Sequence, residues 1–189
     1  MEFSVTDAVS IVTSPFTGQT QAQQWPGADA WSGTMTFPEL TQDQADEYIS
    51  FLMQCRGMAI PFLLGDPTKR KPRGLVSGVP TVDGSVTMSA GGQVLSTAGW
   101  TPNKFRLLLP GDYMQVGYRL HRCIDVVNSD ASGKAAINIW PSLREVPIGS
   151  EAIILNNAQG LFRLASNKRT WSADATFLSR LSFPVMEYR

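Results

Sequence analysis

The sequence contains a single histidine, His121, and any catalytic arrangement that needs an imidazole would have to use it. The residues around it alternate between apolar and polar types, which predicts a β-strand with His121 and Cys123 on one face. Residues two apart on one face of a strand are separated by roughly 6–7 Å, which is long for a nucleophile and its base. We therefore expect a half-buried structural histidine.

Paired carboxylates are the other residues with chemical potential, because two of them can hydrolyse a glycosidic bond. The candidates are Asp112, Asp125, Asp130 and Glu145. Asp112 follows a glycine in an expected turn, and Asp130 lies in the polar segment NSDASG, where an Asp side chain caps its own backbone. Both patterns are typical of structural carboxylates. Since no glycine-rich phosphate-binding motif is present, the sequence predicts a protein that is not an enzyme and uses no cofactor.

The two cysteines, Cys55 and Cys123, are far apart in the sequence. Neither belongs to a C-x-x-C motif, and no pair of histidines accompanies them, so the spacing does not match a zinc site or a disulfide framework. We expect both thiols to be reduced and at least partly buried, and we expect no metal site.

Five tryptophans could stack on sugars, pack in a core or anchor an interface. Trp31, Trp140 and Trp171 lie in or next to predicted strands, which favours the core. Trp25 and Trp100 lie beside Pro or Gly in predicted loops. If exposed, these two are the candidates for interface anchors, because buried aromatic residues dominate the energetics of many interfaces.

Charge is distributed unevenly along the chain, although the formal net charge is zero. Residues 1–68 hold eight acidic residues and one basic residue, and residues 69–189 hold eight acidic and fifteen basic residues. Chance clustering is one explanation. The other is a dipolar subunit whose acidic side meets the basic side of a copy or neighbour. The residues predicted to make such a contact are Asp43, Asp46, Glu47, Lys69, Arg70, Lys71 and Arg73.

The segment KRKPR at 69–73 is the densest basic run in the sequence. It can be a solvated loop, a contact for an acidic neighbour or a contact for nucleic acid. Net neutrality argues against a dedicated nucleic-acid binder, whose affinity would come from phosphate neutralisation. The run also lacks the interleaved aromatic residues of a single-strand platform.

One helix is predicted at about 41–56. Thr41 and Gln44 form a capping-box pattern, and acidic residues in the first turns suit the helix dipole. Apolar residues then recur at helical spacing on one face, and Gly57 can supply a left-handed cap.

The remaining elements are predicted to be strands. Near the front these are 2–13, 31–38 and 58–64, with 14–30 either a long loop or a hairpin arm reaching from the body. Further on they are 75–80, 85–90, 93–97, 114–127, 135–140, 151–158, 161–164 and 175–188, with Gly91-Gly92 as a tight hairpin turn. This order predicts a mainly β fold: a sandwich or barrel with one helix, formed by 1–74 plus 161–189, and a second small barrel-like β unit inserted at 75–160.

Membrane insertion and secretion are not predicted. The N-terminus lacks the apolar region of a signal peptide, and no stretch approaches the ~18 apolar residues of a membrane span. We expect a chain made in a cytoplasm, with no membrane partner.

Two segments carry a resemblance to a known family. In WSGTMTFPELTQDQADEYISFLMQCRGMAIPFLLGDP, a strand ending in F-P precedes a capped helix ending in R-G, an apolar strand and a G-D-P loop. In GDYMQVGYRLHRCIDVVNSDASGKAAINIWPSLREVP, two strands, an Asp/Gly turn and an A-x-I-x-I-x-P strand follow in order. Together they resemble siphophage tail-tip proteins of the distal tail or lambda-like minor tail protein M type, over roughly 31–188.

The resemblance implies a structural subunit of the virion. Such proteins form a ring, typically hexameric, that joins the last ring of the tail tube to the hub or central fibre proteins. An extended hairpin often embraces the adjacent subunit, which here corresponds to the segment 14–30. The inserted unit would point outward or toward the next layer, and nucleic acid would be met only as DNA passing through the lumen. The other classes left open are a carbohydrate- or receptor-binding β module and a wall hydrolase.

Overall fold

The computed structural model describes residues 2–173 and 179–189, and over these residues the mainly β class with one helix is confirmed. Most of the predicted last strand is described, but its first part, 175–178, lies outside the described residues. The elements are β1 (Glu2–Thr6), β2 (Val9–Thr13), β3 (Thr20–Gln24), β4 (Ala30–Thr36), α1 (Gln42–Gln54), β5 (Phe62–Leu64), β6 (Gly78–Val82), β7 (Val94–Trp100), β8 (Tyr113–Val116), β9 (Arg119–Cys123), β10 (Ala135–Trp140), β11 (Ile153–Ile154), β12 (Gly160–Leu164), β13 (Trp171–Ala173) and β14 (Ser179–Glu187).

The first sheet joins the two ends of the chain. Its order is β1-β4-β14-β12-β5, and β13 pairs with β14 outside this path. All of these pairings are antiparallel, and β4 meets β14 with Met35 opposite Phe183. Its inner face supplies a core that includes Trp31, Phe162 and Val185.

The second sheet is the inserted barrel-like unit. Its order is β11-β8-β9-β10-β7-β6, and an isolated bridge between Thr81 and Ala152 brings the two edges together. The backbone N–H of Val82 also donates to the carbonyl of Glu151 at 2.8 Å, so the sheet is nearly closed into a barrel. Alternate residues of its strands fill the interior, with Leu95, Met114, Ile137 and Ile139 at its centre.

The helix begins and ends close to its predicted bounds. The backbone N–H of Thr41 donates to Oε1 of Gln44 at 3.2 Å, as a capping box requires. Gly57 has a φ of 71°, the left-handed conformation expected after a helix end. Of the helix residues, Ala45 and Leu52 are buried. The helix therefore lies on the sheet by one narrow edge and leaves most of its surface open.

Several predicted strands were wrong. Residues 85–90 form an irregular loop, so Gly91-Gly92 is not a hairpin turn, and β7 pairs with β6 and β10 instead. Hydrogen bonds hold this segment as a loop. Asp83 accepts hydrogen bonds from the backbone N–H and hydroxyl of Ser85. The N–H of Gly91 donates to the carbonyl of Leu143. Among the others, 2–13 and 114–127 are each two strands, and 151–158 contains a strand of two residues.

The two sheets share packing contacts. The indole Nε1 of Trp31, in β4, donates to the carbonyl of Leu120, in β9, at 2.8 Å. Tyr113 and Leu120 belong to the core of the first sheet although their strands belong to the second. In the described part of the chain, no helix is long and apolar enough to span a bilayer.

Candidate functional site

The segment Val9–Gln24 is a β-hairpin that stands apart from both sheets, and we call it the arm. Strands β2 and β3 pair with each other alone, from Val9 opposite Gln24 to Thr13 opposite Thr20. The connecting turn closes on itself, since the N–H of Ser14 donates to the carbonyl of Gln19 at 2.8 Å. The sequence analysis allowed either a long loop or a hairpin arm for 14–30. The structure has a hairpin, and it begins earlier, at Val9.

The arm exposes apolar side chains and carries no charge. Phe16, in its turn, is 95% exposed, and Ile11 and Val12 are about two-thirds exposed. No charged residue occurs between Asp7 and Asp29. Natural proteins usually protect exposed strand edges with charges, especially Lys, and an isolated two-stranded hairpin is only marginally stable in water. The surface of the arm therefore has the character of an interface.

The point where the arm leaves the body is tied to the second sheet by side chains in and just after β10. The N–H of Trp25 donates to the carbonyl of Ala8 at 2.9 Å, which closes the two strands. The N–H of Gly27 donates to the hydroxyl of Ser142 at 2.8 Å. On the other side, the indole Nε1 of Trp140 donates to Oδ1 of Asp7 at 2.7 Å.

Beneath this point lies a buried polar cluster that we call the root network: Asp29, Ser142, Arg144 and Glu187. Arg144 makes a two-pronged ion pair with Glu187, from Nε to Oε1 at 3.1 Å and from Nη2 to Oε2 at 2.9 Å. Its guanidinium also donates to the carbonyls of Gly27 and Asp29. The Ser142 hydroxyl donates to Oδ2 of Asp29 at 2.6 Å. The network thus fixes the backbone at the base of the arm.

Glu187 extends the network into the first sheet. Its Oε2 accepts a hydrogen bond from the backbone N–H of Trp31 at 3.1 Å. Because Glu187 is in β14 and Arg144 follows β10, one ion pair joins the last strand, the inserted unit and the start of β4. The direction of the arm is therefore set by both sheets together.

His121 lies beside this network and is buried, not half-buried as its strand pattern predicted. It is 3% exposed, and its Nδ1 donates to the carbonyl of Pro141 at 2.8 Å. Burial lowers its pKa to about 4, which keeps the ring neutral at pH 7. Cys123 is a buried free thiol whose pKa burial raises to about 11, so it holds little of the thiolate that a nucleophile needs.

The four candidate carboxylates make structural contacts. Asp112 accepts hydrogen bonds from the N–H groups of Leu109, Arg73 and Gly74. Asp130 caps its turn, and its pKa is lowered by bonds from Lys134 and Ser132. The other two, Asp125 and Glu145, accept from Asn138 and Arg119. Within 2–173 and 179–189, no three His, Cys, Asp or Glu side chains come together as metal ligands would.

Two of the tryptophan predictions were wrong. Trp100 is the last residue of β7 and is 3% exposed, with its indole Nε1 donating to the hydroxyl of Thr97 at 2.7 Å, so it cannot anchor an interface. Trp171 is 46% exposed and is not a core residue. Trp31 and Trp140 do pack together, edge to face at 4.5 Å between ring centroids. Trp25 is exposed at the base of the arm.

The predicted charged contact residues lie in two places. Asp43, Asp46 and Glu47 are exposed on α1 and make no ion pair within the described residues. The exposed bases Lys69, Arg70 and Lys71 lie in the loop after β5. In contrast, Arg73 is tied down by Asp112 through its Nε at 3.3 Å. The structure does not bring the acidic and basic groups together within one chain.

No family model matches this chain, and no curated protein is similar to it in sequence. The arm and the root network are thus the features from which its function can be argued. The root network could not be found from the sequence, because its partners are 43 to 115 residues apart. For the arm, the residue types of 14–30 allowed either a long loop or a hairpin.

Proposed function

We propose that this chain is a non-enzymatic structural subunit of a bacteriophage tail tip. In this proposal about six copies close into a ring, and the ring joins the tail tube to the hub or central fibre proteins of the virion. The observation that carries the proposal is the arm, an exposed and uncharged hairpin held at a fixed angle by a buried network.

The arm needs a partner for a physical reason. Burial of apolar surface stabilises a protein by about 25 cal/mol per Å². The exposed side chains of the arm gain none of this stabilisation in the free chain. Phe16, Ile11 and Val12 are each more than half exposed, so most of their surface is available to a neighbour. A partner that covers them would also complete the unpaired edges of β2 and β3.

A second copy of the same chain is the simplest partner. Every copy carries the same arm, and an arm that contacts a different surface of the next copy makes a head-to-tail interface. Such interfaces close into rings when the rotation between copies divides a full turn. The resemblance to distal tail proteins implies the same arrangement, with a hairpin that embraces the adjacent subunit.

The test is the mass of the purified chain by light scattering, over a range of concentrations. The wild-type chain is expected to form a closed assembly of about six copies, and Phe16→Ser is expected to shift it toward monomer. Ile148→Ser is the matched control, because Ile148 is 74% exposed but lies outside the arm. A wild-type chain that stays monomeric at high concentration, or a Phe16→Ser chain that assembles like wild type, would overturn the proposal.

A carbohydrate- or receptor-binding β module is the second candidate. The burial of Trp100 removes one of the two aromatic residues that favoured it. A cavity of about 460 Å³ supports this candidate, because it is lined by two aromatic and two charged side chains: Tyr118, Tyr188, Arg119 and Glu145. Binding of wall or surface glycans that is lost in Tyr118→Ala, by a chain that stays monomeric, would favour this candidate.

A further inference from the structure

An apolar groove runs along the open side of the helix. It has a volume of about 420 Å³ and lies between α1, β4, β5 and β14. Its walls include two aromatic pairs, Phe37 with Tyr48 at 4.3 Å and Phe51 with Phe62 at 5.3 Å between ring centroids. Leu63, Tyr48 and Phe51 are more than a third exposed, so this aromatic surface is only partly covered by the chain itself.

One rim of the groove is acidic. Glu47 lines the groove, and Asp43 lies four residues earlier on the same side of the helix. Neither carboxylate has an ion-pair partner within residues 2–173 and 179–189. A ligand that fits here would therefore be apolar at its centre and positively charged at its edge.

The inserted unit presents a group of that kind, which we call the aromatic knob: Leu75, Lys104, Phe105 and Arg106. Phe105 is 75% exposed and stands between the two bases, which are exposed as well. Leu75 is also exposed, and its N–H donates to the carbonyl of Arg106 at 2.8 Å. An aromatic ring, a leucine and two cations thus lie side by side.

The aromatic knob is held in shape by its surroundings. Asn103 and Arg106 have φ values of 54° and 57°, a left-handed conformation that costs non-glycine residues energy. Such strain persists where neighbouring structure enforces it, and it marks functional positions. Here the enforcement comes from hydrogen bonds donated by the N–H groups of Lys104 and Arg106 to the side chains of Ser129 and Asn128. The backbone that carries the exposed Phe105 is therefore held in place before any partner arrives.

We propose that the aromatic knob of one copy inserts into the acidic groove of the next copy in the ring. Phe105 would fill the space between the aromatic pairs, and Lys104 and Arg106 would face Glu47 and Asp43. The arm is the other candidate occupant on this chain, but it is uncharged and would leave both carboxylates unmatched. This contact rests on the ring proposed above and adds a second, charge-dependent interface to that of the arm.

A charge swap tests the pairing. Glu47→Lys and Lys104→Glu are each expected to weaken association at least about tenfold, measured by sedimentation velocity over a dilution series. The double variant carries opposite charges at the same two positions and is expected to recover association. Glu2→Lys is the matched control, since Glu2 is exposed on β1, away from the groove. Singles that weaken association without recovery in the double variant would overturn the pairing.

The apolar part of the contact has its own test. Phe105→Ser is expected to weaken association without lowering the melting temperature, because Phe105 is mostly in water in the free chain. Ile148→Ser again serves as the control. If Phe16→Ser dissociates the assembly while the variants at Glu47, Lys104 and Phe105 assemble like wild type, the ring stands and this contact is rejected. If the wild-type chain is a monomer throughout, the ring itself fails, and the contact with it.

Discussion

In the arm, Ile11, Val12 and Phe16 lie open to water, whereas at its base Asp29, Glu187 and the Arg144 side chain are almost completely buried. The usual distribution is the reverse, with apolar groups inside and charged groups outside. The two regions are neighbours in the structure, and Trp25–Gly27 connect the arm to Asp29 of the root network. This difference shows that the fold leaves the apolar surface of the arm accessible and uses buried charged groups to hold the direction of the arm.

A buried ion pair is a poor way to gain stability, because desolvation can exceed the attraction between the charges. What it supplies is geometry: the guanidinium of Arg144 reaches two carboxylate oxygens and two backbone carbonyls at once. An apolar core at this place would pack as well without fixing which way the arm leaves. The comparison between the arm and the root network can be tested by substitutions that act on one and spare the other.

The largest effect is expected for Arg144→Met. Removing the guanidinium leaves the carboxylate of Glu187 buried without its strongest partner, which typically costs about 3–5 kcal/mol of unfolding free energy. Urea denaturation followed by circular dichroism measures the change. Lys71→Met is the control, because Lys71 is exposed, and it should stay within about 0.5 kcal/mol of wild type.

The next effect is a dependence of stability on pH that comes from His121. Its pKa is about 4 in the folded chain and near the ordinary histidine pKa of 6.5 in the unfolded chain, so the unfolded chain takes up the proton first. The stabilisation is complete above pH 6.5 and is lost as the pH falls toward 4, by roughly 3 kcal/mol in all.

Denaturation curves between those pH values measure this loss. The titration of Asp83 changes the stability only at lower pH, because hydrogen bonds from Lys134 and Ser85 lower the pKa of Asp83 to about 2. In His121→Gln the slope of stability against pH over this range should largely disappear. An unchanged slope in that variant would show that another group is responsible.

A smaller loss is expected for Ser142→Ala. The hydroxyl donates to Asp29 and accepts from the N–H of Gly27, so its removal takes a partner from a buried carboxylate and a half-buried N–H. The expected cost is about 1–3 kcal/mol. Thr13→Ala is the matched change in the arm, where the hydroxyl bonds to Thr20 in water, and it should have almost no effect. Equal costs for the two substitutions would contradict the division between root and arm.

The smallest effect on stability is expected for Phe16→Ser. Because the ring is almost wholly exposed in the isolated chain, the free energy of unfolding should change by less than about 0.5 kcal/mol. The melting temperature, measured at a concentration where the wild-type chain is monomeric, checks this. A large loss would mean that Phe16 packs on its own chain.

The elements that could be predicted from the sequence are those decided locally. The helix followed from Thr41 and Gln44 at capping-box spacing and from its apolar face, and its observed ends differ by one or two residues. The wrong predictions had causes outside the segment. Residues 85–90 alternate like a strand, but Asp83 turns the chain at Ser85, and Gly91, just after the segment, bonds to Leu143. Trp100 looked like a loop residue because Gly99 precedes it, yet that glycine, at φ 83°, lies inside β7.

The candidate site divides in the same way. The arm was only partly predictable, because the residue types of 14–30 fitted a long loop as well as a hairpin. The root network was not, because Asp29, Arg144 and Glu187 become neighbours only after three strands from distant parts of the chain have paired. The strained loop around Phe105 could not be predicted either, because its left-handed residues, Asn103 and Arg106, are not glycines.

The fixed base of the arm has a consequence for how many copies can assemble. In a head-to-tail interface, the angle between successive copies decides whether the series closes after a given number or continues as a filament. In the ring proposed above, the arm's contribution to that angle would be set where the chain turns at Asp7 and Gly27, which bond to Trp140, Ser142 and Arg144. The guanidinium of Arg144 would thus help to determine the number of copies in that ring. A chain with a loosened base would still associate, but as rings of mixed size and open fibres.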